Sequence, residues 1–76
     1  MRTYLLLYLD SEGGRYSEVA EVLEDLGFRP HEEGGYDFVY DWGREPTVAE
    51  SLEFADRVQA AIHGTGTYFR LESTPD

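Results

Sequence analysis

The stretch Glu33-Gly34-Gly35-Tyr36-Asp37-Phe38-Val39-Tyr40-Asp41-Trp42 decides the fold. Two adjacent glycines read as a turn, and the residues after them read as an alternating strand. Strand side chains point alternately to opposite faces. Tyr36, Phe38, Tyr40 and Trp42 therefore share one side, and Asp37, Val39 and Asp41 the other. Phe28-Arg29-Pro30-His31-Glu32 supplies the other arm of a hairpin, and Pro30, with no amide donor, assigns that arm to a sheet edge. Turn length sets the register. A two-residue Gly34-Gly35 loop would set His31 against Phe38 and carry Phe28 and Pro30 to the Asp37/Asp41 side. A three-residue Glu33-Gly34-Gly35 loop, with a glycine in the left-handed bulge position, sets Pro30 against Phe38 and Phe28 against Tyr40. The second register gathers the hydrophobic residues on one face and is the expected one. It also places His31 across from Asp37.

Outward from the hairpin, residues 3–9 (Thr-Tyr-Leu-Leu-Leu-Tyr-Leu) form an apolar run whose length and two tyrosines read as a buried strand, followed by a loop over residues 11–15. Ser17 is the expected N-cap of a helix with Val19, Val22, Leu23 and Leu26 on one face and Gly27 at its C-terminal stop. After the hairpin, Thr47-Val48-Ala49-Glu50 is a capping box. It opens a helix to about His63, with Val48, Leu52, Ala55, Val58 and Ile62 as the expected apolar stripe and Glu53–Arg57 as an i, i+4 pair. A last strand is expected over Thr67–Glu72. One domain then covers residues 1–72, with residues 73–76 as a frayed tail.

The order strand, helix, strand, strand, helix, strand specifies an α+β domain. Two right-handed crossovers and a hairpin make it a ferredoxin-like βαββαβ arrangement, with antiparallel sheet order 4-1-3-2 and both helices on one face. The helix-side row is Leu5, Leu7, Leu9, Phe28, Pro30, Phe38, Tyr40, Phe69 and Leu71, with Tyr36 and Trp42 at its ends. The other face is left open and carries Tyr4, Leu6, Tyr8, Arg29, His31, Asp37, Val39, Asp41, Tyr68, Arg70 and Glu72. If Leu6 lies near Val39, then Tyr8, Asp37 and His31 form a row across it. An apolar centre with a mixed polar rim is the make-up of an interaction surface.

The composition bounds the function classes. The 76 residues include 16 Asp and Glu against 6 basic residues, all Arg, for a net charge of −10. That balance repels nucleic acid and anionic lipid, which need a positive footprint. It suits a cationic or basic partner, or a high-salt cytoplasm in which self-repulsion is screened. No run is long enough to span a membrane, and the N-terminus shows no basic region with a cleavage site, so the reading is cytoplasmic. The chain has no Cys, which excludes disulfides and thiolate metal sites. No cofactor is implied. A core this small is marginal alone, so a homodimer is expected.

Three candidate chemistries remain. His31 and Asp37 are the candidates for an acid–base pair, with Tyr8 orienting a substrate, in a small cofactor-free enzyme. Asp10, with Glu12 and Asp37, is the candidate for a hard cation held through oxygens, and hence for a metal-dependent hydrolase. Gly13-Gly14-Arg15 before a helix is the candidate anion cradle. Beside these three stands the preferred reading, a binding surface formed by Tyr4, Leu6, Tyr8, Arg29, Val39, Tyr68 and Arg70.

Gly35-Tyr36-Asp37-Phe38-Val39 resembles the start of strand three in amino-acid-sensing regulatory domains of the RAM and ACT type, and the helix and strand from Thr47 to Ser73 follow in similar order. The resemblance implies assembly through sheet faces or edges and a small ligand at the subunit interface. The acidic surface argues against a transcriptional role. Tyr8-Leu9-Asp10 is similar to the end of strand one in small CRISPR-associated dimeric nucleases, which would make Asp10 the metal-binding residue. Acylphosphatases share the arrangement but need an Asn that this chain lacks. RNA-recognition motifs need aromatics where Asp37 and Asp41 stand.

Overall fold

A computed structural model describes residues 1–8 and 15–75. Leu9, Asp10, Glu12 and the Gly13-Gly14 pair lie outside the described residues, and with them the cation and anion-cradle readings. The elements are β1 (Arg2–Tyr8), α1 (Tyr16–Asp25), β2 (Arg29–Pro30), β3 (Phe38–Asp41), α2 (Val48–Ile62) and β4 (Tyr68–Thr74). All strand pairs are antiparallel. The sheet order is β2-β3-β1-β4, which read from the opposite edge is 4-1-3-2. The described residues thus form an α+β fold with one four-stranded sheet and two helices.

The expected hairpin register holds: Pro30 is opposite Phe38 and Arg29 opposite Val39. Gly34 and Gly35 both adopt positive φ, 75° and 79°, where a side chain is strained. Thr3, Leu5 and Leu7 of β1 are buried while Tyr4, Leu6 and Tyr8 are not, so the alternation of the first strand also holds. Leu5, Leu7, Phe28 and Phe38 join Val19 and Leu23 of α1 and Phe54, Val58 and Ile62 of α2 in one core, with Tyr40, Trp42, Phe69 and Leu71 packed against it. Both helices therefore lie on the same face of the sheet.

Helix ends explain where the chain turns. α1 stops in the two hydrogen bonds of a Schellman motif, Phe28 N–H to Leu23 O and Gly27 N–H to Glu24 O, both 3.0 Å. Gly27 sits at φ 105°, and a Cβ there would lie 2.9 Å from the Tyr40 ring. Turn and packing both exclude a side chain. The N-terminus of α1 differs from expectation. Its cap is Arg15, with no side-chain hydrogen bond, and Ser17 lies inside the helix. The capping box of α2 is present, with Glu50 N–H donating to Thr47 Oγ1 (3.1 Å) and Thr47 N–H to Glu50 Oε1 (3.0 Å).

Four further expectations are corrected. In α2 the buried face is Phe54, Val58 and Ile62, while Val48 and Leu52 are 76 % and 62 % exposed. Leu52 and Phe54 sit roughly 200° apart around a helix, so only one can face the sheet. Phe54 wins because its ring meets Phe28, Tyr40 and Trp42, with centroids 5.6, 4.5 and 5.1 Å away. No ion pair joins Glu53 to Arg57 among the described residues. Pro30 is exposed, at the outer edge of the sheet. β4 continues through Ser73 and Thr74, which pair with Thr3 and Arg2, so the expected tail is two residues shorter. A side-chain network fixes this end: Thr3 Oγ1 accepts from the Trp42 indole and shares a hydrogen bond with Ser73 Oγ, both 2.9 Å.

Candidate functional site, the open sheet face

The residues that alternate away from the core build one surface. Cross-strand register aligns Arg29 (β2), Val39 (β3), Tyr4 (β1) and Glu72 (β4) in a row. The next β1 residue on this face, Leu6, pairs with Arg70, and Tyr8 pairs with Tyr68. Arg2 lies opposite Asp41 at the far end, with guanidinium and carboxylate 3.9 Å apart. All seven residues of the expected interface, Tyr4, Leu6, Tyr8, Arg29, Val39, Tyr68 and Arg70, fall on this face. The row expected across it does not form. Val39 is opposite Tyr4 rather than beside Leu6, so Tyr8 is not in line with Asp37 and His31.

The acid–base pair is the larger departure. His31 and Asp37 are cross-strand neighbours, but the bond between them is of the backbone, His31 N–H to Asp37 O at 2.9 Å. The Asp37 carboxylate turns to β1, where its Oδ2 accepts from the Leu7 N–H at 2.9 Å. The Asp37 N–H donates to Leu5 O at 2.9 Å, although Leu5 is already in register with Phe38. Two residues of the hairpin strand thus face one residue of β1, as in a bulge. Past that point β3 has ended, and the carboxylate stands in for the carbonyl that a longer strand would have offered Leu7. The acid–base reading is left without its side-chain pair among the described residues.

The extra residue also reverses the alternation, which explains Tyr36. Expected on the helix side, it lies over the open face, its ring 5.3 Å from Tyr4. Its hydroxyl donates to Glu72 Oε2. His31 meets the other side of Tyr4, edge-on at 5.2 Å. The turn of the hairpin thereby covers Tyr4, and the bond to Glu72 raises the Tyr36 phenol above its ordinary range. Tyr16, at the start of α1, has its phenol raised chiefly by burial and then by the Asp37 charge. The paired glycines marked the turn in the sequence, but nothing there marked the extra residue at Asp37 that turns Tyr36 to this face.

What remains open on the face is Leu6, half-buried, and the Tyr8–Tyr68 pair, 48 % and 71 % exposed. Neither Arg29 nor Arg70 forms an ion pair among the described residues, so both charges are available at the rim. No group of three metal-ligating side chains occurs among the described residues. No helix among the described residues is long and apolar enough to cross a membrane. A cavity of about 690 Å³ lies at the α2–β4 turn between Gln59, His63, Thr67 and Phe69. A smaller one of about 320 Å³ lies beside α2 and carries the pair that sequence reading missed. There Arg44 donates from Nη1 and Nη2 to the two carboxylate oxygens of Glu50, and its guanidinium lies over the Trp42 ring at 5.7 Å. Arg44, with help from the Thr47 N–H, holds the Glu50 carboxyl down to about 2. Comparison of the chain with protein families, curated proteins and solved structures finds no match, and the open face is therefore read from its own residues.

Proposed function

We propose that this chain is a small cytoplasmic binding module of ferredoxin-like architecture that self-associates through the open face of its sheet. The observation that carries the proposal is the register pair Tyr8–Tyr68, exposed beside Leu6 on the face opposite both described helices. Tyrosine gives large contact area while its hydroxyl stays hydrogen-bonded, and an apolar centre inside a charged rim is how such surfaces are built. Arg29 and Arg70 can meet Asp41 or Glu72 of a second copy, which offsets the repulsion between two acidic chains. The resemblance of Gly35–Val39 to RAM and ACT domains supports a regulatory role, with a small molecule or a protein taken up where the copies meet.

Leu6→Asp places a charge at the centre of the face without touching the core. It should halve the mass measured by light scattering after size exclusion and leave the helical circular dichroism in place. An unchanged mass, or a single-copy wild type at high concentration, sinks the proposal.

A further inference from the structure

The two edges of the sheet are unlike. β2 is two residues long, one of them Pro30, and is followed by His31, Glu32 and Glu33. Short length, proline and charge are the devices that stop an edge from pairing. β4 is neither short nor broken by proline, and its two charges, Arg70 and Glu72, are of opposite sign. It runs seven residues with no proline until Pro75, and β1 is its one strand neighbour among the described residues. A strand of that length presents a row of backbone donors and acceptors to whatever can pair with it.

The sequence of β4 says what fits. Tyr68-Phe69-Arg70-Leu71-Glu72-Ser73-Thr74 is complementary to itself when reversed about Leu71. Antiparallel pairing with a second copy then sets Leu71 against Leu71, Arg70 against Glu72, Phe69 against Ser73 and Tyr68 against Thr74. Every residue of the strand finds a partner, and both charges meet their opposites twice, once on each side of the axis. The competing registers are worse. Centring on Arg70 or Glu72 sets like charge against like, which destabilises a cross-strand pair. A one-residue slip sets Arg70 beside Leu71 and joins the open face of one copy to the helix side of the other.

We infer that the free edge of β4 pairs antiparallel with β4 of a second copy, about a two-fold axis at Leu71, to make one continuous eight-stranded sheet. Such an interface uses the same patch on both copies and closes on itself. Tyr36 occupies Oε2 of Glu72 and leaves Oε1 to receive the second copy's Arg70. The inference goes beyond the face proposal and does not depend on it. Where both hold, two eight-stranded sheets stack into four copies.

The test is a charge swap in the Leu6→Asp background, where the open face cannot contribute. Leu6→Asp should have the mass of two copies. Adding Arg70→Glu or Glu72→Arg should reduce it to one, and adding both together should restore two, because reversal exchanges the partners without removing them. Circular dichroism follows the fold of each variant. A single-copy Leu6→Asp protein, or a folded double swap that stays single, overturns the inference. Amide exchange on the unmutated chain gives a second reading: β4 amides should be protected in concentrated solution and lose protection on dilution. Exchange that does not change with concentration also overturns it. If the swaps act in the unmutated chain while Leu6→Asp alone changes nothing, the edge stands and the face falls.

Discussion

Asp37 shows how one side chain ends a strand. Its carboxylate and its amide both serve β1, one taking the Leu7 N–H and the other reaching the Leu5 carbonyl. Removing the carboxylate leaves a part-buried donor unmatched, which costs about 1–3 kcal/mol. Asp37→Ala should lower the thermal midpoint by roughly 4–8 °C for each kcal/mol lost. Asp37→Asn, which keeps an acceptor oxygen, should lose much less. Equal losses for the two variants in thermal melts would show that the charge, and not the hydrogen bond, holds the strand end. None of this was legible in the sequence, where Asp37 was one of two aspartates on an alternating strand and was read as the partner of His31. The swing of its side chain depends on where β1 and β3 part, and only the three-dimensional pairing sets that point.

At the scale of elements, the sequence resolved what is local. The hairpin register followed from the two glycines and the need to gather Phe28, Phe38 and Tyr40. The α2 cap followed from a four-residue pattern, and the α1 stop from Gly27. The buried face of α2 did not follow, because its apolar residues offer two faces and only the aromatic cluster chooses between them. The Arg44–Glu50 pair was hidden for a similar reason, as it joins a loop residue to a helix residue already explained by its cap. That pair gives α2 a pH dependence. The Glu50 carboxyl titrates at about 2 in the fold against an ordinary 4.5, so its contribution is complete above pH 4.5 and is lost as the pH falls toward 2. The stability difference between wild type and Glu50→Gln should shrink across that window in acid titrations followed by denaturant melts. A difference that stays constant would mean that the pair contributes nothing to the helix.

The whole molecule is governed by its charge. α1 exposes Glu18, Glu21, Glu24 and Asp25 and has no basic residue in its last turn, so two of its acids sit at the negative end of the helix dipole. With a net charge of −10, screening should favour the folded state more than it weakens exposed pairs such as Arg44–Glu50. The thermal midpoint should rise from dilute buffer to molar KCl, and a midpoint that stays level or falls would count against this balance. The open face was legible as a set, since alternation alone names Tyr4, Leu6, Tyr8 and Tyr68. Its centre was not, because the fold-back of Tyr36 and His31 over Tyr4 arises from the turn and moves the exposed part toward Tyr8 and Tyr68.

Trp42 has a practical consequence for all of these measurements. It is the sole tryptophan of the chain, and its indole N–H is bonded to Thr3 while its ring packs edge-on against Phe54 of α2 and Tyr40 of β3. Sheet, helix and N-terminal strand therefore meet on one fluorophore. Its emission should lie to the blue in the fold and shift to the red when any of the three withdraws, with six tyrosines available as energy donors. The far side of the sheet, where Tyr8 and Tyr68 lie, is separated from it by the backbone layer. Assembly through that face should therefore leave the emission maximum in place while unfolding moves it, so the chain distinguishes coming together from coming apart without a label.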